Sequence, residues 1–173
     1  MSHRPSQTQW RQRGIADSTF NDNLYIVSLS ADGSVVAIGA PYNDGNMNID
    51  DYRNSGHVRV YAWDSTSDIY VQRGADIDGE SQYDQSGRSV SLSADGSVVA
   101  IGALFNDGNG ADSGHVRVYA WDSTSNNYVQ RGADIDGEAS GDLSGDGLSL
   151  SADGSVIAIG ALFGNPRVYV WDN

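Results

Sequence analysis

The chain repeats its own sequence, and this repeat constrains its fold more than any other feature. The string SLSADGSVVAIGA covers residues 28–40 and recurs at residues 91–103, and the near copy SLSADGSVIAIGA covers residues 149–161. Each unit of a repeat protein is too small to bury its apolar face alone, so neighbouring units must stack. The chain is therefore expected to be a stack of similar units.

Each repeat predicts four short antiparallel strands. In the second repeat, residues 90–93 alternate apolar and polar side chains, and Ala-Asp-Gly-Ser at 94–97 is a hairpin signal. Residues 98–103 are continuously apolar, which is typical of a strand buried on both faces. The third and fourth strands are expected at 115–122 and 128–132. No segment has the 3.6-residue period of a helix, so the predicted fold is all-β.

The sequence starts with the last strand of one repeat unit and stops before the last strand of another. Residues 10–14 copy the fourth strand, two full sets follow at about 25–74 and 89–132, and a set of three strands closes the chain at about 148–173. These twelve strands make three blades' worth of a β-propeller, and the N-terminal strand is the one that the C-terminal blade lacks. Such a strand protects an open sheet edge.

Three blades are too few to close a ring, because propellers have about four to eight. We therefore predict closure by oligomerisation, with a homodimer providing six blades, or a chain that is a fragment of a longer propeller. A β-trefoil, which also has twelve strands in three sets of four, is the alternative. The alternating apolar faces and the phase of the ends favour the propeller.

Residues 86–119 resemble the FG-GAP repeat of integrin-α-type β-propellers. Gly39-Ala40-Pro41 matches the Gly-Ala-Pro element of that repeat, whereas the later copies carry Leu104 and Leu162 in place of the proline. Ser-Gly at 86–87 stands where the family has Phe-Gly. The resemblance implies a propeller fold, roles in adhesion or assembly, an extracellular location and calcium-binding loops.

Charge and composition limit the partners. There are 10 Lys and Arg against 23 Asp and Glu, a net charge of −13, which argues against nucleic acid and anionic membranes. No apolar run approaches the roughly 20 residues of a membrane span, so no membrane insertion is expected. The absence of Cys excludes disulfides and thiolate sites. Residues 1–9 are expected to be a flexible tail, and no signal peptide is predicted in this chain.

A repeated acidic element is the first candidate cation site. It comprises Asp76, Asp78 and Glu80, with the equivalents Asp134, Asp136 and Glu138. Alternate residues of a strand share one face about 7 Å apart, so these carboxylates repel unless a cation or an arginine intervenes. The alternative is a solvated turn whose charge Arg73 and Arg131 balance.

Residues 142–153 are the second candidate cation site. Asp142, Ser144, Asp146 and Asp153 imitate the spacing of an EF-hand calcium loop. Leu150 occupies a ligand position, however, and residues 148–151 align with a strand, which favours a simple turn. No cofactor is certain from the sequence, and calcium is the candidate ion.

The loops between the second and third strands are the candidate partner-binding surface. They are rich in oxygen atoms and lie on one rim of the predicted ring, where functional loops concentrate. The alternative is that they are only hydrophilic connections. The candidate residues are Asn43, Asp44, Asn46, Asp50 and Asp51 in the first repeat and Asn106, Asp107, Asn109 and Asp112 in the second.

No catalytic constellation is visible. His57 and His115 occupy equivalent positions, whereas an active site usually needs an asymmetric group of residues. We therefore predict a non-enzymatic scaffold that presents acidic rim loops to a protein partner. The alternative is a lectin-like propeller that binds carbohydrate on repeated aromatic residues, which otherwise pack blade against blade. These aromatic residues are Tyr61, Trp63, Tyr119, Trp121, Tyr169 and Trp171.

Overall fold

The computed structural model describes residues 10–16, 24–44 and 54–172. Within these ranges the chain forms fourteen β-strands and no helix, which confirms the all-β prediction. Accordingly, no segment in this part of the chain is a helix that could cross a membrane. The predicted tail at residues 1–9 and the loop residues Asn46, Asp50 and Asp51 lie outside the described ranges.

The strands form three sheets, each corresponding to one repeat. The first sheet consists of β1 (Gly14–Ile15), β2 (Ile26–Leu29), β3 (Val35–Ala40), β4 (His57–Asp64), β5 (Ile69–Gln72) and β6 (Ile77–Asp78). Its strand order is β1-β5-β4-β3-β2, and β6 also pairs with β4. The second sheet consists of β7 (Ser89–Leu92), β8 (Val98–Ala103), β9 (His115–Asp122), β10 (Asn127–Gln130) and β11 (Ile135–Asp136). Its strand order is β10-β9-β8-β7, and β11 also pairs with β9. The third consists of β12 (Ser144–Leu150), β13 (Val156–Ala161) and β14 (Arg167–Val170), in that order.

Two of these strands were not predicted. β6 and β11 are two residues long and pair antiparallel with the first residues of β4 and β9. Ile77 of β6 is buried, so its side chain anchors the acidic element against the first sheet. The acidic element of each repeat therefore belongs to the sheet edge rather than to a free turn.

Residues 10–13, within the predicted N-terminal strand, form no strand in the described part of the chain. The short strand β1 (Gly14–Ile15) follows them and pairs in parallel with β5 of the first sheet. It does not join the third sheet of its own chain, because the second sheet lies between the first and the third. Completion of the third sheet by another copy stays a prediction.

The sheets pack through their inner strands, with β7 between β2 and β12. All six residues of β8 are buried, as the sequence predicted, because the second sheet is covered on both faces. β13 has the same sequence pattern but is partly exposed, since the third sheet is covered on one face only. We call the two interfaces between neighbouring sheets the seams, and an apolar cluster fills each of them.

The two seams contain the same hydrogen bonds from backbone N–H groups. The N–H of Leu92 donates to Ser28 Oγ at 3.0 Å, and in the next seam the N–H of Leu150 donates to Ser91 Oγ at 3.0 Å. A second repeated bond, at 2.8 Å in both seams, joins the N–H of Ala31 to the Ala94 carbonyl and the N–H of Ala94 to the Ala152 carbonyl.

An arginine–tryptophan stack also recurs. In each case the arginine that follows a fourth-strand sequence lies over the tryptophan at the end of the third strand of the following sheet. A guanidinium over an indole face is attracted by the ring quadrupole by about 0.5–2 kcal/mol. The stacks are Arg13 on Trp63 at 4.0 Å, Arg73 on Trp121 at 4.3 Å and Arg131 on Trp171 at 4.4 Å.

Gly96, in the β7–β8 hairpin, marks a close approach between the first two sheets. Its φ of +68° lies in the left-handed region, and a Cβ built there would be 2.5 Å from Val35 Cβ. Both the backbone conformation and the neighbouring valine therefore require glycine. Gly154 repeats this arrangement against Val98.

We expect Gly96→Ala to lower the free energy of unfolding by about 3 kcal/mol in a urea titration, because left-handed strain of about 1 kcal/mol adds to the cost of overpacking. Gly141→Ala is the matched control, since Gly141 has a φ of +79° but no atom within 4 Å of a built Cβ. The control should lose about 1 kcal/mol. Equal losses in the two variants would contradict the close seam.

Candidate functional site

The sheets have two different rims. The turn rim consists of the tight turns at residues 30–34, 65–68, 93–97, 123–126 and 151–155. The loop rim, at the opposite ends of the strands, consists of residues 41–44, 54–56, 79–88, 104–114, 137–143 and 162–166. Both rims carry carboxylates, but they use them differently.

Turn-rim carboxylates are bound by their own hairpins. Asp95 Oδ1 accepts the N–H of Ser97 at 2.9 Å and the hydroxyl of Ser93 at 2.7 Å. Hydrogen bonds from Ser97 are the main cause that lowers the pKa of Asp95. Equivalent serine hydrogen bonds lower the pKa of Asp32 and of Asp153 to about 2. These carboxylates therefore stabilise the hairpin turns.

On the loop rim, one cluster of possible metal ligands spans the first seam. His115 is buried at the start of β9, and its Nδ1 lies 3.9 Å from Glu80 Oε2 and 3.9 Å from Asp134 Oδ2. Glu80 follows the first sheet, whereas Asp134 follows the fourth strand of the second. One ligand atom from each of the three residues lies within 4.8 Å of the others.

The first sheet holds a related cluster at the equivalent position. It consists of His57, Asp76 and Asp78, again with ligand atoms within 4.8 Å of one another. Asp76 is already engaged, because Arg59 Nε donates to its Oδ2 at 3.0 Å and the amide of Gln72 donates to its Oδ1 at 2.7 Å. Asp134 of the first-seam cluster is held in the same way, because the amide of Gln130 donates to its Oδ1 at 2.7 Å.

A buried arginine completes the first-seam cluster. Arg117 NH1 lies 3.2 Å from Glu80 Oε1, and its NH2 donates to the Asp78 carbonyl at 2.7 Å. Its buried Nε has no hydrogen-bond partner in the part of the chain that the structure describes. Burial, followed by the charge of Arg117, lowers the pKa of His115, so this imidazole is neutral near pH 7.

The structure thus brings four of the eight predicted metal ligands into clusters: Asp76 and Asp78 with His57, and Glu80 and Asp134 with His115. The other four, Asp136, Glu138, Asp142 and Asp146, belong to no cluster found in the described ranges.

The EF-hand-like spacing does not form an ion loop. Asp146 lies within β12, and a strand cannot wrap around an ion. Asp142 Oδ2 accepts the N–H groups of Glu138 at 3.1 Å and Ala139 at 2.9 Å. The sequence alone does not place either histidine beside the acidic elements. His57 reaches Asp78 through the pairing of β4 with β6, and His115 reaches Glu80 through the packing of the second sheet against the first.

The loop of the second repeat is ordered by its own side chains. Asn106 is buried, donating from Nδ2 to Asp84 Oδ2 at 2.9 Å and accepting the N–H of Gly108 at 2.8 Å. Burial raises the pKa of Asp84, while the Asn106 bond opposes this shift. Asp107 Oδ1 accepts the N–H of Asp112 at 2.8 Å.

The predicted partner-binding residues therefore divide into two groups. Asn106 is interior and holds the loop, whereas Asp107, Asn109 and Asp112 are exposed. In the first repeat Asp44 is exposed and Asn43 is half-buried. Of the aromatic residues considered for carbohydrate binding, Tyr119 and Trp121 lie in the first seam and Tyr169 in the second. The three tryptophans, Trp63, Trp121 and Trp171, lie beneath arginines.

Repeated antiparallel sheets that pack through their inner strands define a propeller-like repeat protein. The family model of the FG-GAP repeat matches residues 76–119, which confirms the resemblance over that segment. No curated protein sequence matches the chain.

Two solved structures are similar to the chain at low identity. The periplasmic gluconolactonase PpgL of Pseudomonas aeruginosa is 16% identical with a TM-score of 0.46, over 84% of this chain and 38% of that one. A chain in the mitotic checkpoint complex is 13% identical with a TM-score of 0.45, over 85% of this chain and 50% of that one. The chain thus spans half or less of the length of these structures.

Proposed function

We propose that this chain is a non-enzymatic interaction module that presents its acidic loop rim to a basic protein partner. The observation that carries this proposal is the contrast between the rims. Turn-rim carboxylates such as Asp95 and Asp153 are bound within their hairpins, whereas the exposed carboxylates of Asp112 and Glu138 on the loop rim accept no hydrogen bond from the described residues. The propeller-like fold and the FG-GAP repeat support an interaction role.

The second-repeat loop is suited to binding because its backbone is already held. Asn109 Nδ2 donates to the carbonyls of Gly137 at 2.8 Å and Glu138 at 3.1 Å, so two segments of the rim are joined. A preorganised surface loses little conformational entropy when it binds. Its negative charge accelerates encounter with a basic partner and makes the rate depend on salt.

Matched charge variants test this proposal. A partner isolated by cross-linking from the source cells should bind the Asp107→Asn/Asp112→Asn variant about tenfold more weakly, a loss of about 1.4 kcal/mol. The control, Asp64→Asn/Asp122→Asn, makes the same charge change at the ends of β4 and β9, next to the turn rim, and should bind normally. Equal weakening in both variants would show that net charge, rather than the loop rim, attracts the partner.

Binding of a divalent cation by Glu80, His115 and Asp134 is a second candidate function. It is supported by the convergence of two carboxylates and a neutral imidazole at one seam. An imidazole nitrogen suits zinc or manganese better than calcium, which prefers six to eight oxygen ligands. Calcium, which the family resemblance implies, is the competing ion.

Thermal unfolding with zinc, calcium or EDTA tests the cation site. Zinc at 100 times its dissociation constant contributes about 2.7 kcal/mol and should raise the melting temperature by about 5 °C or more. Glu80→Gln should abolish the shift, and Glu138→Gln, outside the cluster, should keep it. A melting temperature unchanged by zinc, or a shift that survives in Glu80→Gln, would refute the site.

Carbohydrate binding is the alternative to protein binding. It has less support, because the arginine stacks cover one face of the tryptophan rings that a sugar would need.

A further inference from the structure

On both outer faces of the stack, apolar side chains are exposed at positions whose equivalents inside it are buried, although Ile38 and Tyr61 on the outer face of the first sheet are buried in the single chain. Val27, on the outer face of the first sheet, is 66% exposed, whereas its equivalent Val90 in the seam is 9% exposed. Val168, on the outer face of the third sheet, is 68% exposed, and its equivalent Val60 is 1% exposed. Each outer face therefore carries residues whose equivalents pack between neighbouring sheets in a seam.

The seam glycines show that the two outer faces are complementary. Val35 packs against Gly96, and Val98 packs against Gly154, with built Cβ atoms at 2.5 and 2.7 Å from the valines. Val156 on the third sheet occupies the position equivalent to Val35 and Val98. Gly33 on the first sheet occupies the position equivalent to Gly96 and Gly154, but among the described residues its built Cβ meets Leu29 Cδ2 at 3.9 Å and no valine.

The third sheet has a cavity where the other sheets have a fourth strand. Tyr70 and Tyr128, on the fourth strands, pack edge-on against Trp63 and Trp121, and Tyr128 donates its hydroxyl to the Gly96 carbonyl at 2.6 Å. At the equivalent place in the third sheet there is a cavity of about 200 Å³, whose lining includes Gly154, Ile157 and Trp171.

The N-terminal segment has the sequence of such a strand. Gln-Arg-Gly at residues 12–14 aligns with Gln-Arg-Gly at 130–132, which places Trp10 at the position of Tyr128. Trp10 is fully exposed in the single chain. An aromatic side chain is thus available at the aromatic position of the strand that the third sheet lacks.

The N-terminal segment is also already positioned as the fourth strand of a preceding sheet. Arg13 stacks on Trp63 as Arg73 stacks on Trp121. Gly14 pairs with Ile69. The equivalent residues one repeat later, Gly74 and Asn127, lie against each other in the first seam. Within the described ranges, residues 10–13 pair with no strand, and the sheet that would precede the first one is not among the described residues.

We propose that residues 10–13 of one copy complete the third sheet of a second copy, antiparallel to β14. The pairing of β10 with β9 fixes the register, since Tyr128 lies opposite Trp121 and Val129 opposite Ala120. By equivalence, Trp10 lies opposite Trp171 and Arg11 opposite Val170. The Trp10 indole then fills the cavity, with its N–H facing the Gly154 carbonyl.

A second copy of the chain covers these faces, because one chain carries both surfaces that meet in a seam: a valine side on its third sheet and a glycine turn on its first sheet. Val156 of one copy meets Gly33 of the next, and Val168 is covered as Val60 is. Two copies joined head to tail in this way close a ring of six blades. This proposal does not depend on partner binding at the loop rim, since the purified chain alone tests it.

Light scattering on the full chain tests the assembly. The expected mass is about 37 kDa, twice the 18.4 kDa of the chain. Trp10→Ala and Val168→Asp should both shift the mass to one chain while the β-sheet circular dichroism is kept, because both side chains are exposed in the single chain. The control Tyr83→Asp, an exposed loop-rim residue, should remain dimeric. A wild-type mass of one chain would overturn the proposal.

Disulfide trapping tests the register independently of the stability of the variants. The chain has no cysteine, so an introduced pair is read without interference. Arg11→Cys with Val170→Cys should form a disulfide-linked dimer on a non-reducing gel, and Arg11→Cys with Val168→Cys should form at least tenfold less. Equal trapping of both pairs, or a cross-link confined to single chains, would contradict the strand exchange.

Discussion

The contact between neighbouring sheets is the constraint on which the rest of the structure depends. A sheet of three or four short strands cannot bury an apolar face alone, so each repeat is stable only when stacked on another. The contact is built from small, close fits, with a valine against a glycine in a left-handed turn and an arginine over a tryptophan. Because each repeat carries both halves, repeating the sequence repeats the seam.

The seam also determines where charged groups meet. Glu80 follows the first sheet, but the second sheet stands directly beside it, so its carboxylate reaches His115 and Arg117 rather than its own repeat. The equivalent position after the second sheet is Glu138, beside a third sheet in which Asn165 replaces the histidine. The repeats are therefore alike in fold and different in chemistry at their loop rim.

Local sequence patterns predicted the strands that pair with their neighbours along the chain. The Asp-Gly hairpin and the apolar run of β8 are local signals, and both occur in the structure as predicted. β6 and β11 escaped prediction because two residues carry no periodicity and their partners lie about 20 residues away. The placement of His115 beside Glu80 depends on packing between repeats, which no spacing within one repeat reveals. Asn106 was grouped with the partner-binding residues because its burial cannot be read from a polar loop sequence.

The stack of Arg73 on Trp121 holds the first two repeats together, and a double-mutant cycle on these two residues measures its strength. Unfolding free energies of wild type, Arg73→Ala, Trp121→Ala and the double variant give the coupling between the two side chains. A favourable coupling of about 0.5–2 kcal/mol is predicted for a guanidinium over an indole in a partly desolvated seam. A coupling of zero within error would show that the stack does not hold the repeats together.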